Sequence, residues 1–500
     1  MTEERARSYV REVPLYIGGE FVEAGAGGRF VTLNPSSNTP ITTVAEGTAA
    51  DIDRAVQAAR RAFDEGSWPR MTGAERARYL RRVADLMEED QEALSLLETL
   101  DCGIPIAQTR GQVARAAENF RFFADMTQHM TGETYPVEGR YLNYSMLQPV
   151  GVAGLITPWN TPLMLECWKI APCLAAGNTA VLKPAEWSPL TADRLAAIID
   201  RAGLPAGVFN VVHGYGETAG AALVAHPGVR LLSFTGETET GRTIMRNGAH
   251  TLKRFSMELG GKSPVIVFAD ADLDQALDAA LFGMFTLNGE RCTAGSRVLV
   301  EAPVSAEFEE RLKARIAAIR TGDPFSPDTE LGPLIHPEHH ARVMGYLDIA
   351  REEGATIAVG GRRPPAWPEG NYLEATLLAG VKPGMRVEQE EIFGPVLSLL
   401  SFADEEAAVR IANDVRYGLA AYIWTRDVSR AHNVAARMEA GMVWVNSPNV
   451  RDLRTPFGGS KDSGIGREGG HYSFEFYCER KSVQVALQAP PIPVVGRMGD

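Results

Sequence analysis

The 500-residue chain is short of lysine, with eight against 42 arginines, and the first lysine is Lys169. It has only five cysteines, at 102, 167, 173, 292 and 478, and no two form a CxxC pair. That spacing excludes a disulfide scaffold or a thiolate zinc site and fits a reducing cytoplasm. No run approaches the ~18 consecutive apolar residues of a membrane span. The opening MTEERARSYVREVPLY has no apolar segment of the kind that leads a secretory signal. Neither a membrane span nor a leader is expected. An excess of positive charge is also missing: the formal charge is −13, which argues against nonspecific nucleic-acid binding.

What remains is ordinary globular composition, 45% hydrophobic and 23% charged. At ~150 residues per unit, the length suggests about three structural units. LYIGGEFVEAG reads as two strands around a Gly18-Gly19 turn. From Asp51, a plausible N-cap, the pattern turns helical, with further helices expected over about 73–100 and 104–126. Strand character returns around Tyr135 to Leu147, as a hairpin leaving the main body. Then short apolar strands (PVGVAGLI, NTAVLKP, VFNVVHG, RLLSFT) alternate with helices. The alternation resumes after Glu258 with SPVIVF, a helix over about 273–287, and SRVLVE. This is α/β patterning built on parallel sheets, a usual platform for nucleotides. The C-terminal KSVQVALQA reads as a strand without an obvious partner, one that pairs with another subunit or closes a local sheet.

Two glycine-rich stretches follow strands. GYGETAG (Gly214 to Gly220) is one residue too long in its last spacing for a dinucleotide fingerprint. FTGETETGRT (Phe234 to Thr243) resembles a P-loop with arginine in the lysine position, a mismatch that argues against NTP hydrolysis. In either stretch, glycines let backbone approach a phosphate at a helix N-terminus, although they also serve turns and helix packing. Cys167 and Cys173, in LECWKIAPCLAAG, read as core. Cys292, in the small polar loop NGERCTAGSR, reads as an accessible thiol that a neighbouring arginine or backbone dipole would activate, or as an inert loop cysteine. Glu258, at a strand end before Gly260-Gly261, suits a general base whose pKa is raised by partial burial, or an arginine's ion-pair partner. HPEHH (His336 to His340) lacks HExxH spacing, so no metal is expected there and a solvated surface is.

Six blocks in order, PVGVAGLITPWN, NTAVLKPAEWSPL, FTGETETG, SMELGGKSP, NGERCTAGSR and EEIFGPV, resemble the aldehyde dehydrogenase superfamily over nearly the whole chain. The resemblance implies two Rossmann-like parallel-sheet units and a small β oligomerisation element. It assigns residues 1–127 and 149–259 to NAD binding, 260–462 to catalysis, and 128–148 and 478–500 to oligomerisation as a homodimer or homotetramer. It implies Cys292 as nucleophile, Glu258 as the base that activates water, and Asn160 with the Cys292 N–H as oxyanion donors. Lys169 and Glu468 match positions suggested to relay protons. The cofactor is expected beside Ile156, Thr157, Pro158 and Trp159, with Lys183 and Glu186 at the adenosine ribose. Gly216, Gly220, Phe234, Gly236, Gly241 and Leu259 are expected along it, and Glu391 and Phe393 at the nicotinamide side. Glu186 favours NAD over NADP, because a carboxylate accepts from a ribose hydroxyl and repels a 2′-phosphate. Glu237 departs from the family, which often has serine there, and puts an acid near the pyrophosphate.

Within the family, NFRFFAD, NYSMLQPVGV, CTAGSR and VRDLRTPFGG resemble dehydrogenases of muconate-type semialdehydes. Such small-molecule substrates carry carboxylates, which arginine recognises well. Arg115, Arg451 and Arg454 are the expected ligands, and Arg121 is expected on the solvated surface. Simpler aldehydes, or a non-catalytic nucleotide-binding role, are the alternatives.

Overall fold

The computed structural model describes residues 2–496. The turn at Gly18-Gly19 closes the strands Leu15–Ile17 and Glu20–Val22, with φ of +66° and +88°, values glycine adopts without strain. The next helix starts earlier than expected, because Asp51 is not its cap. Thr48 is the N-cap of Ala49–Asp64, and Asp51 is the third helical residue, completing a reciprocal capping box with Thr48. The expected helix over 73–100 is two helices, Gly73–Glu89 and Gln91–Cys102. Asp90 leaves helical geometry between them, and its carboxylate is held by Arg194. The following helix, Ile106–Met126, runs at the back of the first sheet's core.

Eight strands form the first sheet. Its five parallel strands, in chain order Val152–Ile156, Thr179–Lys183, Phe209–Val211, Leu231–Thr235 and Arg254–Glu258, are arranged 3-2-1-4-5. The N-terminal hairpin lies antiparallel on one edge and Gly464–Ile465 on the other. Alternate residues face opposite ways: Ala153 and Leu155 enter one core, Val152 and Ile156 the other. Chain order reverses between the strands Val152–Ile156 and Leu231–Thr235. The crevice at their carboxyl ends is where doubly wound sheets bind ligands.

The second sheet has seven strands, six of them parallel: Thr376–Ala379, Val396–Phe402, Arg297–Glu301, Pro264–Val267, Ala420–Trp424 and Met442–Val445 in spatial order. Thr356–Val359 is the antiparallel edge. The sheet's last strand, Met442–Val445, pairs parallel with Ala420–Trp424. The α/β class with two parallel-rich sheets is as the resemblance implied.

The terminal strand Cys478–Ala486 has its partner in its own chain: it pairs over nine residues with Tyr141–Pro149, which also pairs with Thr134–Val137. The three-stranded sheet carries exposed Tyr135, Val137, Leu142, Met146 and Val485. Of the stretch 478–500, residues 497–500 lie outside the described residues. No described helix is long and apolar enough to cross a membrane.

Candidate active site

Cys292 sits on the loop between the helix Leu273–Phe285 and the strand Arg297–Glu301. Leu287 and Asn288 enter that loop at φ of +54° and +58°, a strained choice for non-glycine residues. The Asn288 side chain holds it there. Its amide donates to Gly103 O (3.1 Å) and Pro333 O (2.9 Å) and accepts from Gly332 N (2.8 Å). Cys292 itself is partly accessible from a cavity of about 260 Å³ whose walls include Asn160, Leu259, Glu391 and Phe393. The other four cysteines are buried, Cys167 and Cys173 in the core as expected.

The environment does not favour the thiolate, contrary to the sequence reading. Burial, then the charges of Glu391 and Glu258, push the thiol up to about 12; Arg291 opposes this only partly. A base must take the proton. Glu258 ends its strand as expected, but it is paired with no arginine: both carboxylate oxygens are buried and unpartnered. Burial first, then the Glu468 charge, hold its pKa well above the usual carboxylate range, while Lys169, Arg467 and Arg451 pull the other way. Behind it Lys169 Nζ donates to Ser233 Oγ (2.8 Å) and Glu468 Oε1 (3.0 Å), and Ser233 donates on to Glu468 (3.2 Å). The structure thus brings Glu258, Lys169 and Glu468 together. Asn160 spends one amide hydrogen on Glu290 O (2.8 Å), which aims the amide and leaves its second hydrogen available.

A groove of about 540 Å³ continues over the carboxyl ends of the first sheet. Its walls include Ile156, Thr157, Pro158, Trp159, Lys183, Glu186, Gly216, Gly220, Phe234 and Gly236, all expected there. Lys183 Nζ donates to Glu186 Oε2 (2.8 Å), so the two ribose candidates point at one spot. The buried hydroxyl of Thr157 has no protein partner, an orphaned group of the kind a bound dinucleotide satisfies. Gly241 is behind the wall: a Cβ there would meet Leu259 Cδ2 at 2.6 Å, so this glycine serves helix packing rather than the cofactor surface. Glu237 is the exposed N-cap of the helix Thr238–Gly248 and borders both cavities, with no capping bond from its side chain. At the far end Glu391 Oε1 accepts from Gly261 N (2.7 Å), and burial pushes its carboxyl up to about 7.

The HPEHH stretch is not a solvated surface. His336 stacks on Trp187 (4.4 Å between centroids, 8° apart), and His339, 5% exposed, forms part of the cavity wall against Trp159. They pack because Trp159 and Trp187 offer aromatic faces, a tertiary fact invisible in the spacing. Arg342, one turn on, also borders the cavity. Among the described residues no cluster of acidic, histidine or cysteine side chains has the geometry of a metal site.

The substrate arginines divide. Arg451 stacks its guanidinium over Trp168 (4.1 Å) and Phe457 (4.8 Å), leaving buried Nε and one terminal nitrogen without a partner. Burial pushes it down to about 10, despite the opposing charge of Glu468, and Arg115 adds to the push. Arg115 is held below its ordinary value by desolvation and next by Arg291. Arg115 thus feels the charge of Arg291, and Arg451 that of Arg115, while Arg291 itself donates to Thr293 Oγ1 (3.1 Å) and Thr286 Oγ1 (3.4 Å). Arg454 does not join them. Asp452 takes it in an exposed bidentate pair (2.6 Å at the nearest). Arg121 pairs with Asp85 and Glu88 at the surface, as expected.

Comparison with known proteins accords with this geometry. The aldehyde dehydrogenase family pattern matches residues 21–483. A 5-carboxymethyl-2-hydroxymuconate semialdehyde dehydrogenase of Escherichia coli is 52% identical over 458 residues, covering 90% of this chain and 96% of that protein. The crystal structure of HpcC from Thermus thermophilus superposes with a TM-score of 0.97 at 52% identity, covering 99% of this chain and 97% of that one. Betaine aldehyde dehydrogenase from Staphylococcus aureus, solved with NAD+, gives a TM-score of 0.97 at 38% identity, with 99% of each chain covered. The chain belongs to the aldehyde dehydrogenase family.

Proposed function

We propose that this protein oxidises a carboxylate-bearing semialdehyde to the acid with NAD, the substrate being 5-carboxymethyl-2-hydroxymuconate semialdehyde or a related muconate semialdehyde. The observation that carries the substrate reading is the group Arg115, Arg291 and Arg451. Arg115 is opposed by the charge of Arg291, and Arg451 by that of Arg115. None of the three has a carboxylate in an ion pair among the described residues, so an anion here relieves unfavourable charge. The similarity to the Escherichia coli enzyme supports the same substrate class.

The residues of the chain divide the work. Glu258 accepts the thiol proton, and Cys292 Sγ adds to the aldehyde carbon to give a thiohemiacetal. The Cys292 N–H and the free Asn160 amide hydrogen hold the developing oxyanion; one such donor is worth about 2.7–4 kcal/mol in the transition state. NAD, when bound, supplies the two-electron acceptor that leaves a thioester on Cys292. Glu258 then takes a proton from water, the hydroxide adds to the thioester, and the sulfur leaves as the acid is released. Protons pass outward through Glu468 and Lys169. Thr157, Lys183 and Glu186 hold the dinucleotide, the paired carboxylate of Glu186 accepting from the ribose and disfavouring a 2′-phosphate.

The first sheet, with residues 1–127 and 149–259, is read as the NAD-binding unit, and 260–462 as the catalytic one. The exposed apolar side chains of the three-stranded sheet support assembly with further copies of this chain. Five unpaired thiols support a cytoplasmic location. The test replaces Arg115, Arg291 and Arg451 singly by glutamine and compares kcat/KM for a carboxylated and an uncharged aldehyde. Each replacement lowers the ratio of the first to the second by about 10- to 100-fold, which cancels any effect on Cys292 or Glu258 common to both substrates. Equal losses for both aldehydes, or none, overturn the substrate reading.

A further inference from the structure

Three successive backbone carbonyls, Glu391, Ile392 and Phe393, all accept from side chains of one helix, Pro337–Glu352. Arg342 donates to Glu391 O (2.8 Å) and Ile392 O (3.1 Å), and His339 Nε2 donates to Phe393 O (2.7 Å). Tyr346, one turn further, donates to the Glu390 carboxylate (2.9 Å). His339, Arg342 and Tyr346 recur at helical spacing, so one face of the helix grips the whole segment. That segment needs holding. Phe393 sits at φ +61°, a left-handed conformation that a bulky residue adopts only when its surroundings impose it. It carries Glu391 and Phe393 into the cavity beside Cys292, with the Phe393 ring edge-on to Trp159 (5.3 Å).

The grip extends toward the reacting sulfur. His339 Nε2 is 3.6 Å from the buried Glu290 carboxylate, which accepts from Ile335 N (3.0 Å), just before the helix's N-cap His336. The carbonyl of that same Glu290 receives the Asn160 amide, and Cys292 is two residues on. Burial pushes His339 down to about 4, so at neutral pH the imidazole is uncharged. A neutral ring has one N–H, and the carbonyl of Phe393 fixes it on Nε2.

We propose that His339 is a positioning residue: through its hydrogen bond to Phe393 O it holds the strained Glu391–Phe393 segment in the conformation that receives NAD, with Arg342 as its second anchor. This rests on the NAD reading above. His339→Phe keeps an aromatic ring against Trp159 without the donor, and His339→Gln keeps a donor without the ring. Calorimetric NAD binding should weaken about tenfold in H339F, the equivalent of one buried hydrogen bond, and by less than about threefold in H339Q. Amide hydrogen exchange across Glu391–Phe393 in the cofactor-free protein should quicken in H339F and not in H339Q. Arg342→Ala, at an exposed position that does not threaten folding, should quicken the same exchange. H339F binding NAD as wild type, H339Q failing as badly as H339F, or unchanged exchange in both H339F and R342A would each overturn the proposal. Wild-type protein that bound no NAD would overturn the cofactor reading together with it.

Discussion

Lys169 Nζ lies 3.0 Å from Glu468 Oε1 with both side chains buried, and the pair acts on Glu258 with opposite signs. The Glu468 charge raises the Glu258 pKa and the Lys169 charge lowers it. Glu468→Gln should therefore move the acid limb of the kcat–pH profile to lower pH, and Lys169→Met should move it to higher pH, each by about one unit. Shifts in the same direction would show that the pair reaches Glu258 through structure rather than charge.

The Cys292 thiol, pushed up to about 12, is protonated in the cofactor-free protein at neutral pH. Its alkylation rate, followed on the Cys292 peptide by mass spectrometry, should climb about tenfold per pH unit between 7 and 9. Glu391→Gln removes a charge that opposes the thiolate and should raise the rate; Arg291→Gln should lower it. A plateau below pH 8 would contradict the environment described.

Glu237 presents a carboxylate at the N-terminus of the helix Thr238–Gly248, beside both cavities, without capping it. Glu237→Ser should tighten NAD binding by about two- to fivefold at low ionic strength, with the gain shrinking in salt. Weaker binding in the variant would mean that the carboxylate points away from the phosphates and serves another contact.

Glu98, Asp101 and Glu166 are buried around one another, and neither Glu98 nor Glu166 has a hydrogen-bond partner. Burial pushes Glu98 up to about 8 and Asp101 to about 7, with the Asp101 charge adding to the shift at Glu98. A carboxyl whose folded pKa is raised contributes its full stability below the unfolded value. That contribution is lost as pH rises through the folded value. Glu98→Gln should leave the melting temperature nearly unchanged near pH 5 and raise it by at least about 2 °C at pH 8–9. An equal effect at both pH values would place the cause in packing rather than ionisation.

The hairpin at Gly18-Gly19, the alternating strands and the six motif blocks were legible because each is local. A glycine turn, a two-residue period and a block of motif residues need no partner to be recognised. The helix break at Asp90 was not legible, since it depends on Arg194 arriving from about a hundred positions away. The histidines of HPEHH were misread as surface for the same reason: their burial is supplied by Trp159 and Trp187. Gly241, expected along the cofactor, instead makes room for Leu259.

By itself the sequence determined the α/β class and the family, because six motif blocks in order are recognisable without any contact in space. Tertiary structure decided the protonation states and the arginines. A guanidinium's role depends on whether an acid stands opposite it. Asp452 claims Arg454, while Arg115 meets the charge of Arg291, and Arg451 that of Arg115, each from a distant part of the chain. Desolvation and facing charge are properties of neighbours in space. They moved Cys292 up, Glu258 up and Arg451 down, and no spacing along the chain records them.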